Sequence, residues 1–150
     1  MTTLFNQDVA EIKVSYSHKV KAANMVKLTC SRDSFNLLKE SWEDQDYCET
    51  FKVILLNRAS KVLGVKTIST GGISGTVADP KLIFQTALLC HACSIILAHN
   101  HPSGNKRPSD ADVKLTERLK NGGLYLEIAV LDHIIMAEDE YYSFADEGEM

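Results

Sequence analysis

From residue 49 the chain alternates with a period of two. Glu49, Phe51, Val53 and Leu55 fall on one side of an extended segment; Thr50, Lys52, Ile54 and Leu56 fall on the other. Asn57-Arg58-Ala59-Ser60 is a turn signature, and 62–69 resumes the strand pattern, so the pair predicts an antiparallel hairpin. Gly71-Gly72 punctuates, and 73–77 reads as a further short strand. Asp79-Pro80 then announces a helix, with Asp as N-cap and Pro in the first helical position. Ile83, Phe84, Ala87 and Leu88 supply its apolar face. Residues 94–98 are apolar on both faces, which predicts a central strand.

A Gly/Pro-rich loop follows over 100–108. Ser109 opens a second helix. Asp110 and Asp112 lie in its first turn and Lys114, Arg118 and Lys120 later, the order that complements the helix dipole. Asn121-Gly122-Gly123 is expected to end it, and 126–131 and 133–136 to complete the strands. Before residue 49 the pattern is weaker. Positions 1–10 read as frayed, Ile12, Val14 and Tyr16 alternate like a short strand, and 26–29 suggest another. Asp33 or Ser34 is the expected cap of a short helix reaching Trp42, and 43–46 reads as a solvated connection. The whole is α+β: a mixed sheet flanked by helices, without internal repeats.

The 150 residues are one domain's worth, and 45% hydrophobic with 24% charged residues is ordinary for a soluble globule. No apolar run approaches the roughly 20 residues of a membrane span. The first ten residues lack a secretory pattern, so a cytoplasmic location is expected. That compartment makes Cys30, Cys48, Cys90 and Cys93 free thiols, and Cys90-x-x-Cys93 a pair of core thiols rather than half a zinc site. The net charge of −4 is uneven. Glu138, Asp139, Glu140, Asp146, Glu147 and Glu149 leave the rest at +2 (16 basic minus 14 acidic). A near-neutral body with an acidic tail is a poor footprint for non-specific DNA binding.

The chemistry is concentrated in His99-Asn100-His101-Pro102-Ser103-Gly104, with Ser109 and Asp112 beyond. His99 and His101 are two apart at a strand end, so both imidazoles can face one atom. Asp112 shares a helix face with Leu115, Thr116 and Leu119 and points inward, where a carboxylate needs a partner. Ser109-x-x-Asp112 is also a capping box, which accounts for that pair without a metal but leaves the two histidines unexplained. Two imidazoles and one carboxylate leave one tetrahedral position open, the pattern of catalytic zinc. Glu49, on an inward stripe, is the candidate base.

His-x-His, seven residues, Ser, two residues, Asp resembles the signature of the JAMM (MPN/JAB) metalloproteases. The wording His-Asn-His-Pro-Ser-Gly, with Asp132-His133-Ile134-Ile135 and Tyr142-Ser143-Phe144, resembles their bacterial RadC branch. So does Glu49-Thr50-Phe51 leading into Ile54-Leu55-Leu56-Asn57. The resemblance covers roughly residues 49–148. It implies a cytidine-deaminase-like architecture over 48–150, with 1–47 a short extension packed on it. It also implies one zinc per chain held by His99, His101 and Asp112, with Glu49 as acid/base and Ser109 as hydrogen-bond donor to the oxyanion. The implied reaction is hydrolysis of a peptide or isopeptide bond in a protein substrate.

Two other readings stand beside it. One is a DNA-repair-associated protein or nuclease, the historical label of the RadC branch. Two-metal nucleases want several carboxylates, whereas this motif has one. The helix-hairpin-helix segment usual in RadC proteins is not found among the residues preceding Glu49, so tight nucleic-acid binding is not expected. The other is a metal-binding interaction module, which would need neither Glu49 nor Ser109. Asp132-His133 either backs the metal ligands or pairs two strands, and the sequence leaves both open. His18 and His91 carry no pattern, and Lys106 and Arg107 read as a solvated loop tip.

Overall fold

The protein is represented by a computed structural model that describes residues 9–43, 47–71 and 77–150. Helix α1 (Ser31–Ser41) precedes the hairpin β1 (Thr50–Leu56) and β2 (Val62–Thr70). Then come α2 (Pro80–Leu89), β3 (Ser94–Asn100), α3 (Asp110–Leu126), β4 (Ala129–Ala137) and β5 (Glu140–Ser143). The strands form one mixed sheet in the order β2-β1-β3-β4-β5, with β3 and β4 parallel and the other pairs antiparallel. This is the expected α+β class, with β3 central and all seven of its residues buried.

The alternation in β1 splits between the two faces of the sheet as anticipated. Phe51, Val53 and Leu55 join Ile95 and Leu97 beneath α2 and α3, whose Ile83, Phe84, Ala87 and Leu119 close that layer. Ile54 and Leu56 join Ile96, Ala98, Ile134 and Met136 under α1, which contributes Phe35 and Leu38, with Trp42 following at its C-terminal end. Asp79 caps α2 by accepting from the Lys81 amide, with Pro80 next, as its sequence requires. Leu88, expected on the apolar face of α2, is instead exposed, because only one stripe of a ten-residue helix can reach the sheet.

Several local expectations are corrected. No strand forms around Ile12, Val14 and Tyr16; they are exposed, and the contact of Tyr16 with β2 is made by its side-chain hydroxyl on the Leu63 carbonyl rather than by a backbone ladder. Residues 26–29 give a single bridge, Lys27 to Lys61, rather than a strand. The N-cap of α1 is Cys30, and Asp33 is the acidic third residue that reaches back to the amides of Thr29 and Cys30. Cys93 is exposed and Cys90 buried, so only one member of that pair is a core thiol; all four cysteines are free. The expected strand over 73–77 and most of the solvated connection 43–46 lie outside the described residues.

Gly122 and Gly123 do not end α3. The helix runs through them to Leu126 and stops at Glu127, which adopts a left-handed conformation with φ of 54°. The glycines serve close approach instead. A Cβ on Gly123 would lie 2.2 Å from the Ile128 carbonyl oxygen, and one on Gly122 would lie 3.0 Å from the Phe84 ring. What was read as two strands is one, β4, with an irregularity. Ile95 pairs with Val130 and Ile96 with Asp132, leaving Leu131 unpaired in a bulge. The bulge inverts the alternation. Val130 packs under α2 and α3, and beyond Leu131 it is His133 that faces that layer while Ile134 and Met136 face α1. Strand β5 has no strong apolar signal and was not anticipated.

Candidate metal centre

The register of the sheet assembles the site. His99 is the penultimate residue of β3 and lies opposite Phe51, whose ring stacks on the imidazole with centroids 6.0 Å apart. Extending that antiparallel register by two sets Glu49 against His101. His101 follows β3 directly, and its amide still donates to the Met136 carbonyl, so the strand path continues under it. Asp112 enters from the first turn of α3. His99, His101 and Asp112 thereby bring three donor atoms within 4.8 Å of one another. No other such group of His, Cys, Asp or Glu occurs among the described residues.

The capping box and the carboxylate cluster are one device. Ser109 Oγ accepts from the Asp112 amide at 3.1 Å, and Asp112 Oδ2 accepts from the Ser109 amide at 2.8 Å. This fixes the carboxylate so that Oδ1 lies 3.3 Å from His99 Nε2 and Oδ2 lies 3.6 Å from His101 Nε2. Ser109 uses its oxygen as acceptor and keeps its own hydroxyl proton to donate elsewhere. Glu49 is half-buried at the entrance to β1, close enough that its charge contributes to raising the pKa of His101.

Hydrogen bonds decide which imidazole nitrogens can bind a cation. His101 Nδ1 lies 2.5 Å from the Asn105 carbonyl and must donate to it, which leaves Nε2 with a lone pair. The second tautomer follows along a buried chain. Thr116 donates its single hydroxyl proton to the Asp112 carbonyl at 2.7 Å. It therefore accepts from His133 Nδ1 at 2.6 Å. His133 is fully buried, and burial is the main cause that holds its pKa well below the usual histidine range. A neutral His133 then has a lone pair on Nε2 and accepts from His99 Nδ1 at 2.8 Å. His99 Nε2 is thus also a lone pair, and it faces His101 Nε2 at 2.9 Å.

Two lone pairs and a carboxylate converging at such distances call for a shared cation. Tetrahedral zinc with bonds of about 2.0–2.1 Å sets its ligand atoms about 3.3 Å apart, and the three separations here bracket that value. Burial alone would push the Asp112 carboxyl up, but the adjacent His101 and His99 imidazoles, which can take up a proton, override it and hold it far below the ordinary carboxylate range. The pKa of His101 is raised, first by the Asp112 carboxylate beside it, which favours the protonated ring. The donor set is anionic where it must be and carries lone pairs where it must, so it fits a divalent metal.

His133 is the residue whose role the sequence left open. It lies behind His99 and stacks on Phe144 with centroids 5.0 Å apart. Its neighbour Asp132 faces the opposite side of the sheet, accepting from Ser143 Oγ and from the Ala145 and His133 amides. Burial raises the pKa of Asp132, and those bonds oppose the rise. The dyad therefore splits: His133 backs the cluster and Asp132 ties β4 to the turn after β5. Thr116, the end of the chain, enters the sequence reading only as a residue that shares a helix face with Asp112. Its spacing from Asp112 by one helical turn was the available signal.

An α+β sheet with two histidines at a strand end and an aspartate in the following helix, grouped so that they could hold a metal ion, is the arrangement of a JAB-class domain. The chain belongs to the RadC-like JAB domain family, whose match covers residues 28–149. Among curated relatives, a UPF0758 protein of Flavobacterium johnsoniae is 42% identical over 122 residues, 81% of this chain and 53% of that protein. One from Porphyromonas gingivalis is 46% identical over 101 residues, 67% of this chain and 44% of its own length. One from Methanosarcina mazei is 34% identical over 122 residues, 81% of this chain and 53% of that protein. The chain spans about half the length of the curated relatives it matches. No helix among the described residues is long and apolar enough to cross a membrane.

Proposed function

We propose that this chain is a zinc-dependent hydrolase that cleaves a peptide or isopeptide bond. The observation that supports it best is the convergence of His99 Nε2, His101 Nε2 and the Asp112 carboxylate within 4.8 Å, with both imidazole tautomers dictated by the hydrogen bonds behind them. Three protein ligands drawn from His and Asp match catalytic rather than structural zinc. Zinc, when bound, polarises the scissile carbonyl and lowers the pKa of water from 15.7 to about 7.

The remaining work falls to side chains of the chain. Glu49 takes the proton of the attacking water and returns it to the departing nitrogen, so the carboxylate is regenerated in each cycle. Ser109 donates its free hydroxyl proton to the oxyanion of the tetrahedral intermediate. Phe51, on the β1 face that also carries Glu49, walls the site with its ring and excludes water from behind His99.

The test joins metal analysis to catalysis. Wild-type protein should carry one zinc per chain, and His99→Ala should lose most of it. Glu49→Gln should keep zinc and fold while hydrolysis of peptide and isopeptide substrates falls by about 10²–10⁴-fold. Zinc retained in His99→Ala, or a Glu49→Gln variant that hydrolyses at the wild-type rate, would sink the reading.

A further inference from the structure

The residue between the two histidines faces away from them and is 1% exposed. A buried carboxamide carries two acceptor sites and two donors and must find partners for them. Asn100 finds two of them on β1. Its Oδ1 accepts from the Thr50 amide at 2.7 Å, and its Nδ2 donates to the Cys48 carbonyl at 2.9 Å. The antiparallel ladder between β1 and β3 ends at the Phe51–His99 pair, so at the next position this side chain carries the pairing on.

The two backbone groups are not arbitrary. The Cys48 carbonyl belongs to the peptide before Glu49, and the Thr50 N–H belongs to the peptide after it. One carboxamide thus grips both peptide units that flank Glu49. From the other side, the Gly71 amide donates to the Glu49 carbonyl at 2.8 Å. Glu49 lies just before the first residue of β1, where the ladder alone would hold it weakly. The strand that supplies His99 thereby also fixes the backbone of Glu49.

We propose that Asn100 is a positioning residue for Glu49, holding the carboxylate beside the metal centre through the two peptide groups that flank it. The proposal rests on the reading of Glu49 as the base. No other side chain of similar size serves: Asp lacks the donor for Cys48, Leu lacks both partners, and the Ser hydroxyl is too short to span the two groups. The carboxamide points away from the metal ligands, so its loss acts on Glu49 and not on the donor set.

Co2+ tests this without a substrate, because its visible absorption changes when its water ligand ionises. A carboxylate held beside that water disfavours loss of the proton, so Glu49→Gln should lower the pH midpoint by about 1 unit. Asn100→Leu should lower it in the same direction, and the double variant should move no further than Glu49→Gln alone. Co2+ affinity should match the wild type in every variant. Amide exchange at Thr50 should accelerate by about tenfold in Asn100→Leu, the loss of one hydrogen bond. Asn100→Ser serves the same purpose where the leucine variant does not fold.

A midpoint that stays at the wild-type value in both Asn100 variants, while Glu49→Gln moves it, overturns the proposal and leaves Glu49 as the base. Loss of Co2+ in the Asn100 variants also overturns it, since the side chain would then support the ligands. If Glu49→Gln leaves the midpoint in place, the reading of Glu49 itself has failed, and the proposal fails with it.

Discussion

Thr116→Val is the sharpest probe of the buried chain that sets the tautomer of His99. Valine keeps the shape of threonine and removes the hydroxyl, which is 2.6 Å from His133 Nδ1 and 2.7 Å from the Asp112 carbonyl. Thr116 is 2% exposed and His133 is fully buried, so water is a poor substitute. Left in place, the unpaired His133 N–H costs about 1–3 kcal/mol. The ring can escape that cost only by moving its proton to Nε2, where it meets the His99 Nδ1 proton across 2.8 Å. His99 must then carry its proton on Nε2, and it presents a hydrogen to Asp112 instead of a lone pair. Either route charges metal binding. His133 is the partner directly behind His99, and such partners typically contribute 10–100-fold to affinity, or about 1.4–2.7 kcal/mol, which is the ceiling for Thr116 acting through it. Zinc titration against a chelator of known affinity reads the loss, and ¹⁵N shifts of the His99 and His133 rings read the tautomers. Thr116→Ser keeps the hydroxyl and should retain both. Unchanged zinc affinity together with unchanged ring shifts in Thr116→Val would refute the chain as the source of the tautomer.

Gly123→Ala should destabilise the fold by about 2 kcal/mol, the clash with the Ile128 carbonyl outweighing a helix-propensity gain of about 1 kcal/mol, and lower Tm by roughly 4–8 °C. Gly122→Ala meets only the edge of the Phe84 ring and should be near neutral; equal Tm losses at the two sites would contradict the packing argument. In the metal-free protein the raised pKa of His101 gives stability that is full below the unfolded value of about 6.5 and is lost as pH rises through the folded value. The depressed Asp112 contributes above its unfolded value of about 3.9 and is lost in stronger acid, so Tm should peak between these limits; a Tm that climbs from pH 6 to pH 8 without metal would show the sign to be wrong. With a net charge of −4, the chain should bind DNA no tighter than about 10⁻⁴ M at physiological salt, and micromolar binding with a steep salt slope would count against this.

The parts of the site that the sequence discloses are those set by period and spacing. His99 and His101 share a strand face because alternation is rigid, and Ser109 with Asp112 begins a helix because their capping geometry is local. The parts it conceals depend on pairing across the sheet. Nothing local tells that Leu131 is bulged, since a bulge exists only relative to the partner strand β3. Without the bulge, His133 would share the face of Ile95's opposite layer and could not reach His99. The ending of α3 was misjudged for a related reason. Gly122-Gly123 looks like a stop signal, but the glycines answer to Phe84 and to the Ile128 carbonyl, both long-range or beyond the helix.

The same logic explains why one short strand can carry so much of the site. β3 is buried along its whole length and paired with a strand on either side, so its backbone is held by β1 and β4 together. Its side chains then act in opposite directions with little freedom. His99 on one face meets Asp112, His133 and Phe51; Asn100 reaches across to the peptides around Glu49. His101, one residue beyond, is held by its amide on Met136 and its ring on Asn105. Two candidate metal ligands and the side chain proposed to anchor Glu49 are therefore placed by three consecutive residues, each fixed by a different neighbour. A change in the pairing of β3 with β1 would displace Glu49 relative to the histidines. A change in its pairing with β4 would displace His133. The placement of the cluster thus follows from the pairing of β3 with both of its neighbours.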